Sequence, residues 1–240
     1  MSVSALDLII ALAAIFFGSL LQGSIGYGLG IIGAPFIALV VPAALPATLV
    51  MVSLPHTSFS VIREHHALDR KNLPWMLAGA IPGTLLGLLI VTQFEGNSIA
   101  IVVGVITLVG VGLSVLSASI PVMPITSILA GFLSNTFGTA SGVGGPPVAL
   151  LLQRHPGPAT RATMGAFFFT SSVLSIIGYL LTGTISVDQL IFALELLPAL
   201  LAGFWISRHT HILLEQGWLR PVTLAVSAIA GTAALLKGLL

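Results

Sequence analysis

Two stretches decide how this chain is read: GSIGYGLGIIGAP, from Gly23 to Pro35, and NTFGTASGVGGPP, from Asn135 to Pro147. Each sets glycines close together in an apolar run and closes on proline. Glycine lets the backbone leave helical geometry and proline removes a donor, so both stretches predict a helix that breaks and resumes, near Ala34 and near Pro146. The chain around them is almost free of charge. Of 240 residues 56% are apolar and 6% charged, where a soluble domain carries roughly 25% charged residues. No Asp, Glu, Lys or Arg lies between Asp7 and Arg63 or between Glu95 and Arg154, gaps of 55 and 58 residues. A hydrocarbon core about 30 Å thick takes about 20 residues of helix, so each gap holds at least two apolar passes and the bend between them. A soluble globule is excluded and the chain is polytopic.

About eight apolar segments follow, over 6–22 continuing brokenly to 41, 45–62, 73–92, 99–118, 122–153 (broken), 159–182, 185–206 and 219–238. None alternates with a period of two, so the class is all-α. The chain has no cysteine, hence no disulfide framework and no thiolate chemistry. A net charge of +1 with scattered basic residues points away from nucleic acid. Residues 1–7 lack a basic n-region, so the first apolar segment is expected to be retained.

The halves resemble each other. At an offset of 112, Gly26, Gly30, Gly33 and Pro35 fall on Gly138, Gly142, Gly145 and Pro147, and Pro46-Ala47-Thr48 falls on Pro158-Ala159-Thr160; at 116, Pro82 and Gly87 fall on Pro198 and Gly203. This divides the chain into repeats over 1–120 and 121–240. Cytoplasmic loops collect Lys and Arg, and equivalent loops here carry opposite bias: Arg63, Arg70 and Lys71 against Asp188 alone, an uncharged turn at 42–45 against Arg154 and His155, and Glu95 against Arg208 and Arg220. Inverted repeats follow. Each is expected to hold one re-entrant-like broken hairpin and three crossings, with both termini outside and the loops at 63–72, 154–158 and 207–219 in the cytoplasm. Lys237 fits this scheme only as a residue snorkelling from a helix end.

Irregular backbone at membrane depth is tolerated where it lines a cavity, and paired interrupted segments point to a transporter's binding site. The resuming helices would aim free N–H groups and positive dipole ends into that cavity, which suits an anion. Gln22, Ser24, Tyr27, Ser134, Asn135, Thr136, Thr139 and Ser141 are the neutral side chains expected to contact it, Gln22 matching Ser134 in the repeat. His56 and Glu195 interrupt apolar helices and are candidates for proton coupling, expected to face the bundle interior. Arg161 is a candidate charge for the anion as well as a topology anchor. The histidines at Arg63–His66, His209 and His211 read as solvated loop residues, with no metal site and no cofactor expected.

Through GSLLQGSIGYGLGIIGAP and GFLSNTFGTASGVGGPP the sequence resembles the TauE/SafE family of sulfite-exporter-like membrane proteins. The likeness spans nearly the whole chain, including the Arg63–Lys71 loop and IPGTLLG from Ile81 to Gly87. Leu29 and Ile32 stand where family members often have a denser glycine run. The resemblance implies a small integral transporter of the bacterial-type inner membrane, linked to sulfite, sulfonates, related organosulfur anions or small carboxylates. The expected partners are such an anion and the bilayer, with a homodimer left open. The expected mechanism is alternating access, one repeat rocking against the other. Two other readings are a noncatalytic membrane assembly subunit and an intramembrane serine protease, the latter suggested by TASG from Thr139 to Gly142.

Overall fold

The computed structural model describes residues 3–94, 98–116, 120–208 and 219–240. Among them are ten α-helices and no strand: α1 (Ala5–Ile25), α2 (Leu29–Val40), α3 (Ala47–Glu64), α4 (Leu73–Gln93), α5 (Ser98–Val115), α6 (Pro124–Ser141), α7 (Gly145–Leu152), α8 (Gly157–Thr182), α9 (Val187–Ser207) and α10 (Leu219–Leu239). His209 and His211, Glu95 and most of the 207–219 loop lie outside the described residues.

Local sequence sets several helix ends. Ser4 and Asp7 form a capping box on α1, and Ser186 and Gln189 form one on α9, each pair satisfying donors that a helix start leaves open. At the entry to α4 the Asp69 carboxylate accepts from the backbone N–H groups of Lys71 and Asn72 and from the Asn72 side chain. Burial alone would raise the Asp69 carboxyl, but those hydrogen bonds, with His155 nearby, outweigh it and hold it below the ordinary aspartate value. A carboxyl depressed in the folded state contributes stability above its unfolded value, about 3.9, and that stability is lost as pH falls through the folded value. Asp69→Asn is therefore expected to lower the unfolding midpoint at neutral pH. The difference from the unchanged protein should close in acid, as followed by thermal unfolding across pH.

Six of the helices, α1, α4, α5, α8, α9 and α10, are long and apolar enough to cross a membrane. The expected set of crossings had α3 in place of α1. α3 carries Ser53, His56, Thr57, Ser58, Ser60, Arg63 and Glu64, which dilute its apolar character. Helices α2 and α7, of 12 and 8 residues, reach only about 18 and 12 Å, well short of the core thickness.

Helix pairing follows a pattern in which the halves exchange roles: α1 packs on α9 as α6 packs on α4, α2 on α10 as α7 on α5, and α3 on α9 as α8 on α4. Glycine seams bring these helices to backbone contact. A Cβ at Gly79 would meet the Ile128 carbonyl, one at Gly83 the Phe132 carbonyl, one at Gly131 the Met76 carbonyl, and one at Gly203 the Phe16 carbonyl.

The two broken pairs open toward opposite ends of the bundle. Gln189, at the start of α9, donates to the Ala43 carbonyl and accepts through its own carbonyl from Thr48 Oγ1. Val3 and Asp188 line one shallow pocket. The start of α1, the end of α2 and the start of α3 therefore share one end with the start of α9. At the other end, Thr163 Oγ1 accepts from the Asp69 N–H, and His155 lies 3.7 Å from the Asp69 carboxylate. That groups the end of α7 and the start of α8 with the start of α4, beside which α6 runs parallel. Lys237 reaches from α10 to the Leu39 carbonyl at 2.6 Å. A charge that looked misplaced in the sequence thus satisfies an open carbonyl at the C-terminus of α2.

Candidate functional site

Both glycine stretches interrupt helices, at places the sequence only partly indicates. α1 ends on Gly26 (φ 95°) and α6 on Gly142 (φ 83°). The left-handed region is open to glycine and costly to other residues, which is why these two positions carry the turns. Gly138 lies inside α6, while Gly30, Gly33 and Pro35 lie inside α2, which resumes at Leu29 and not near Ala34. Helix ends thus match at an offset of 116, the same as Pro82 with Pro198, and one helical turn from the 112 that best matches the glycines.

The two junctions touch. A Cβ at Gly30 would overlap the Gly142 carbonyl oxygen, and one at Gly145 would press on the Tyr27 ring. Between them opens a small cavity lined by residues of both junctions and by polar side chains of α1, α3, α6 and α8. Gln22, Tyr27, Ser134 and Asn135 line it as expected candidates; Ser24, Thr136, Thr139 and Ser141 do not. Ser24, Thr136 and Ser141 donate back to the carbonyls of Leu20, Phe132 and Phe137. Ser141 Oγ also accepts from the Val143 N–H. Thr139 Oγ1 bonds Ser175 Oγ at 2.7 Å, and its carbonyl accepts from the Tyr179 hydroxyl. Of the lining residues, Ser134 donates to the Gly144 carbonyl. Asn135 spends its amide N–H groups on Ala80 O and Thr84 Oγ1 of α4.

Four lining hydroxyls escape a sequence reading: Ser53 on α3 and Ser171, Ser172 and Ser175 on α8. Ser53 and Ser172 bond each other at 2.8 Å. Ser171 is 6% exposed, and its Oγ has no hydrogen-bond partner among the described residues. The available signal was a helical stripe, Phe168, Ser171, Ser172 and Ser175, at i, i+3, i+4 and i+7.

The two resumed helices present unequal N-termini. The first-turn N–H groups of Gly30 and Ile31 have no helical acceptor by position and belong to the cavity wall. The third, on Leu29, donates to Gln22 Oε1 at 3.1 Å. In α7 the second and third residues are Pro146 and Pro147, so that turn keeps only the Gly145 N–H.

Tyr27 stands between this cavity and a much wider one, which is lined by Ser24, His155, Thr160 and Arg161 among others. Arg161 is committed there to Glu64, its Nε and Nη2 each 2.9 Å from Oε1, and Nη1 reaches the Ser24 carbonyl. Arg63 donates to the Gly23 carbonyl at 2.8 Å and lies over the Phe204 ring. Two guanidinium groups thus hold the last turn of α1, where the helix dipole favours positive charge.

His56 is fully buried, its Nε2 3.1 Å from the Ser19 carbonyl and its Nδ1 3.3 Å from Gln22 Nε2. Glu195, expected to face the interior, is exposed on α9 beside Val3 and Asp188 and does not line the cavity. It lies two turns from the start of α9, where a carboxylate stem can reach the polar edge of a bilayer. The structure does not bring the two together.

No curated protein and no solved structure matches the chain. Residues 10–234 match the family described as sulfite exporter TauE/SafE. With nearly its whole length inside that match, and with apolar helices long enough to cross a bilayer, the chain belongs to the TauE/SafE family of membrane transporters.

Proposed function

We propose that the protein is a secondary transporter for small oxyanions, sulfite, sulfonates or related organosulfur anions, working by alternating access from the cavity between the glycine junctions. The observation that carries this reading is Ser171. It is a buried hydroxyl without a partner among the described residues, in the wall of a cavity that the first turn of α2 also lines. Leaving a buried polar group unsatisfied costs about 1–3 kcal/mol, and an oxyanion oxygen would satisfy it. In this reading Gly30 and Ile31 supply backbone donors and Ser171 a hydroxyl. Ser53 and Ser172 add a second hydroxyl pair, and Tyr27 separates the bound anion from the wider cavity. Asn135 holds α6 against α4 rather than donating to the anion. Arg161 anchors the end of α1 and is not the anion's partner.

The same reading takes the two halves as inverted repeats, α1–α2 and α6–α7 being re-entrant pairs. Their opening toward opposite bundle ends and the exchanged helix pairing support it. The chain then sits in a bacterial-type inner membrane with both termini outside and the Arg63–Lys71 loop in the cytoplasm. Tags at the two ends should both be accessible from outside intact cells; labelling on opposite sides would overturn the arrangement.

Flux is tested in proteoliposomes with sulfite, methanesulfonate and lactate under imposed pH and voltage gradients. Flux of at least one of these is expected, and none by protein shown to be folded would refute the proposal. Ser171→Ala should weaken the transported anion. A hydrogen bond to a charged group contributes about 1.5–3 kcal/mol, so KM is expected to rise roughly tenfold to a hundredfold while the fold is retained.

A further inference from the structure

A chain of three contacts runs from a buried imidazole to the cavity wall. The Ser19 carbonyl can only accept, so His56 Nε2 carries a hydrogen and donates to it at 3.1 Å. Gln22 Oε1 accepts from the Leu29 N–H at 3.1 Å, which turns the Gln22 amide nitrogen toward His56 Nδ1, 3.3 Å away. Nδ1 is therefore the acceptor, and the ring is neutral in this arrangement. Gln22 and Leu29 both line the cavity; His56 lies behind them.

From this geometry we infer that His56 is the proton site of transport. Protonation at its Nδ1 turns Gln22 away from Leu29 and opens the first turn of α2 to the anion, so that proton and anion bind together. The inference rests on the transport reading above. The steps balance with one proton taken from water. Adding it to Nδ1 converts an acceptor into a donor, which then faces the Gln22 NH₂, two donors meeting. Rotating the amide restores that contact by presenting Oε1 to His56, but it places the NH₂ against the Leu29 N–H. One side chain cannot serve both partners. The Leu29 N–H is left to an oxyanion, beside those of Gly30 and Ile31, and the rotated amide NH₂ adds a fourth donor. The single positive charge on the imidazolium is matched by the single negative charge of a sulfonate. Releasing the anion restores the Leu29–Gln22 bond and returns Nδ1 to its acceptor role, expelling the proton.

The surroundings of His56 allow this assignment to be isolated. α1 presents Ser19 and Gln22 to it, and α9 the Phe204 ring, 5.0 Å away and edge-on. The charged groups on the packed elements are Arg63 and Glu64 on α3, Arg208 capping the end of α9 beyond the same ring, and Arg161 on α8, which Glu64 holds. None of the four lies within the chain from His56 to Leu29.

The test measures binding of methanesulfonate, ionised at every working pH, to purified protein in weakly buffered detergent solution. Proton uptake is recorded alongside the dissociation constant from pH 5.5 to 8. The expected result is uptake approaching one proton per anion, with affinity rising as pH falls, up to about tenfold per pH unit. His56→Gln should still bind, more weakly, with no uptake and a flat pH profile. Gln22→Glu offers a carboxylate that accepts from both His56 Nδ1–H and Leu29 N–H. It fixes the protonated form in advance, while its second oxygen keeps the Leu29 N–H from the anion, so it should bind more weakly than the unchanged protein and without uptake, which decides the matter if His56→Gln does not fold. Binding by the unchanged protein without uptake, or uptake that survives in either variant, overturns the assignment while leaving the transport reading in place. If neither methanesulfonate nor sulfite binds to folded protein, both fall.

Discussion

Replacing Glu64 with glutamine is expected to cost about 3–5 kcal/mol of stability, the range seen when one partner of a buried ion pair is removed. Glu64 and Arg161 have side chains 12% and 14% exposed, and the carboxylate accepts two bonds from Arg161 while lying 3.5 Å from Arg63 Nε. Without it two guanidinium groups remain close together in a poorly solvated pocket. The damage should extend beyond the pair, because Arg63 and Arg161 hold the Gly23 and Ser24 carbonyls just before the α1–α2 junction. Thermal unfolding in detergent reads the loss. A double-mutant cycle with Arg161→Met separates the pair from its surroundings. If Glu64 acts through the pair, the double variant should be more stable than Glu64→Gln alone, and additive losses would show that it does not.

Gly30→Ala should be nearly as damaging for a different reason. The added methyl would occupy the space of the Gly142 carbonyl oxygen, and both obstacles are backbone, so no side-chain rotation relieves the overlap. Overpacking of this kind costs typically 1–3 kcal/mol, and the upper end, about 3, is expected where nothing can yield. The two junctions would have to separate, opening the cavity and abolishing measurable anion flux. Gly112→Ala provides the contrast, since nothing lies within 4 Å of the added carbon on α5. There the better helix propensity of alanine should leave the protein as stable or up to about 1 kcal/mol more so. Equal losses for the two substitutions would refute the close-contact argument.

Much of the fold was legible because membrane helices announce themselves by length and apolarity; of the glycines marked as breaks, Gly26 and Gly142 take left-handed turns, while Gly30, Gly33 and Gly138 lie inside helices. The register of the repeat was not legible. Glycines spaced by about one helical turn still match in part when the chain is shifted by four residues, as Gly26 does with Gly142, so 112 and 116 compete in the sequence although 112 matches more of them. The helix ends at Gly26 and Gly142 stand 116 apart. Pro35 misled for a related reason. A proline in a short helix removes a single bond, and the chain continues through it when the surrounding packing holds the turn.

The site was legible in one wall only. Gln22, Tyr27, Ser134 and Asn135 lie near the junctions in sequence and were found by that nearness. Ser53, Ser171, Ser172 and Ser175 arrive from helices remote in sequence, and a serine in an apolar helix usually bonds its own backbone, as Ser24 and Ser141 do. What separates Ser171 from them is the lack of a partner, a property of the packed chain. The Glu64–Arg161 pair spans 97 residues and was invisible for the same reason.

The glycine seams also decide which parts can move as rigid bodies. Where two helices meet backbone to backbone there is no layer of side chains to re-pack, so such a pair translates or tilts as one piece. α4 is joined to α6 in this way, and α1 to α9. Each of these pieces takes one helix from each half of the chain. The mechanical units are thus mixed, and a hinge drawn at the midpoint of the sequence would cut both of them. Distance measurements between labels on α4 and α6 should stay constant through a transport cycle, while those between α4 and α1, both in the first half, should change.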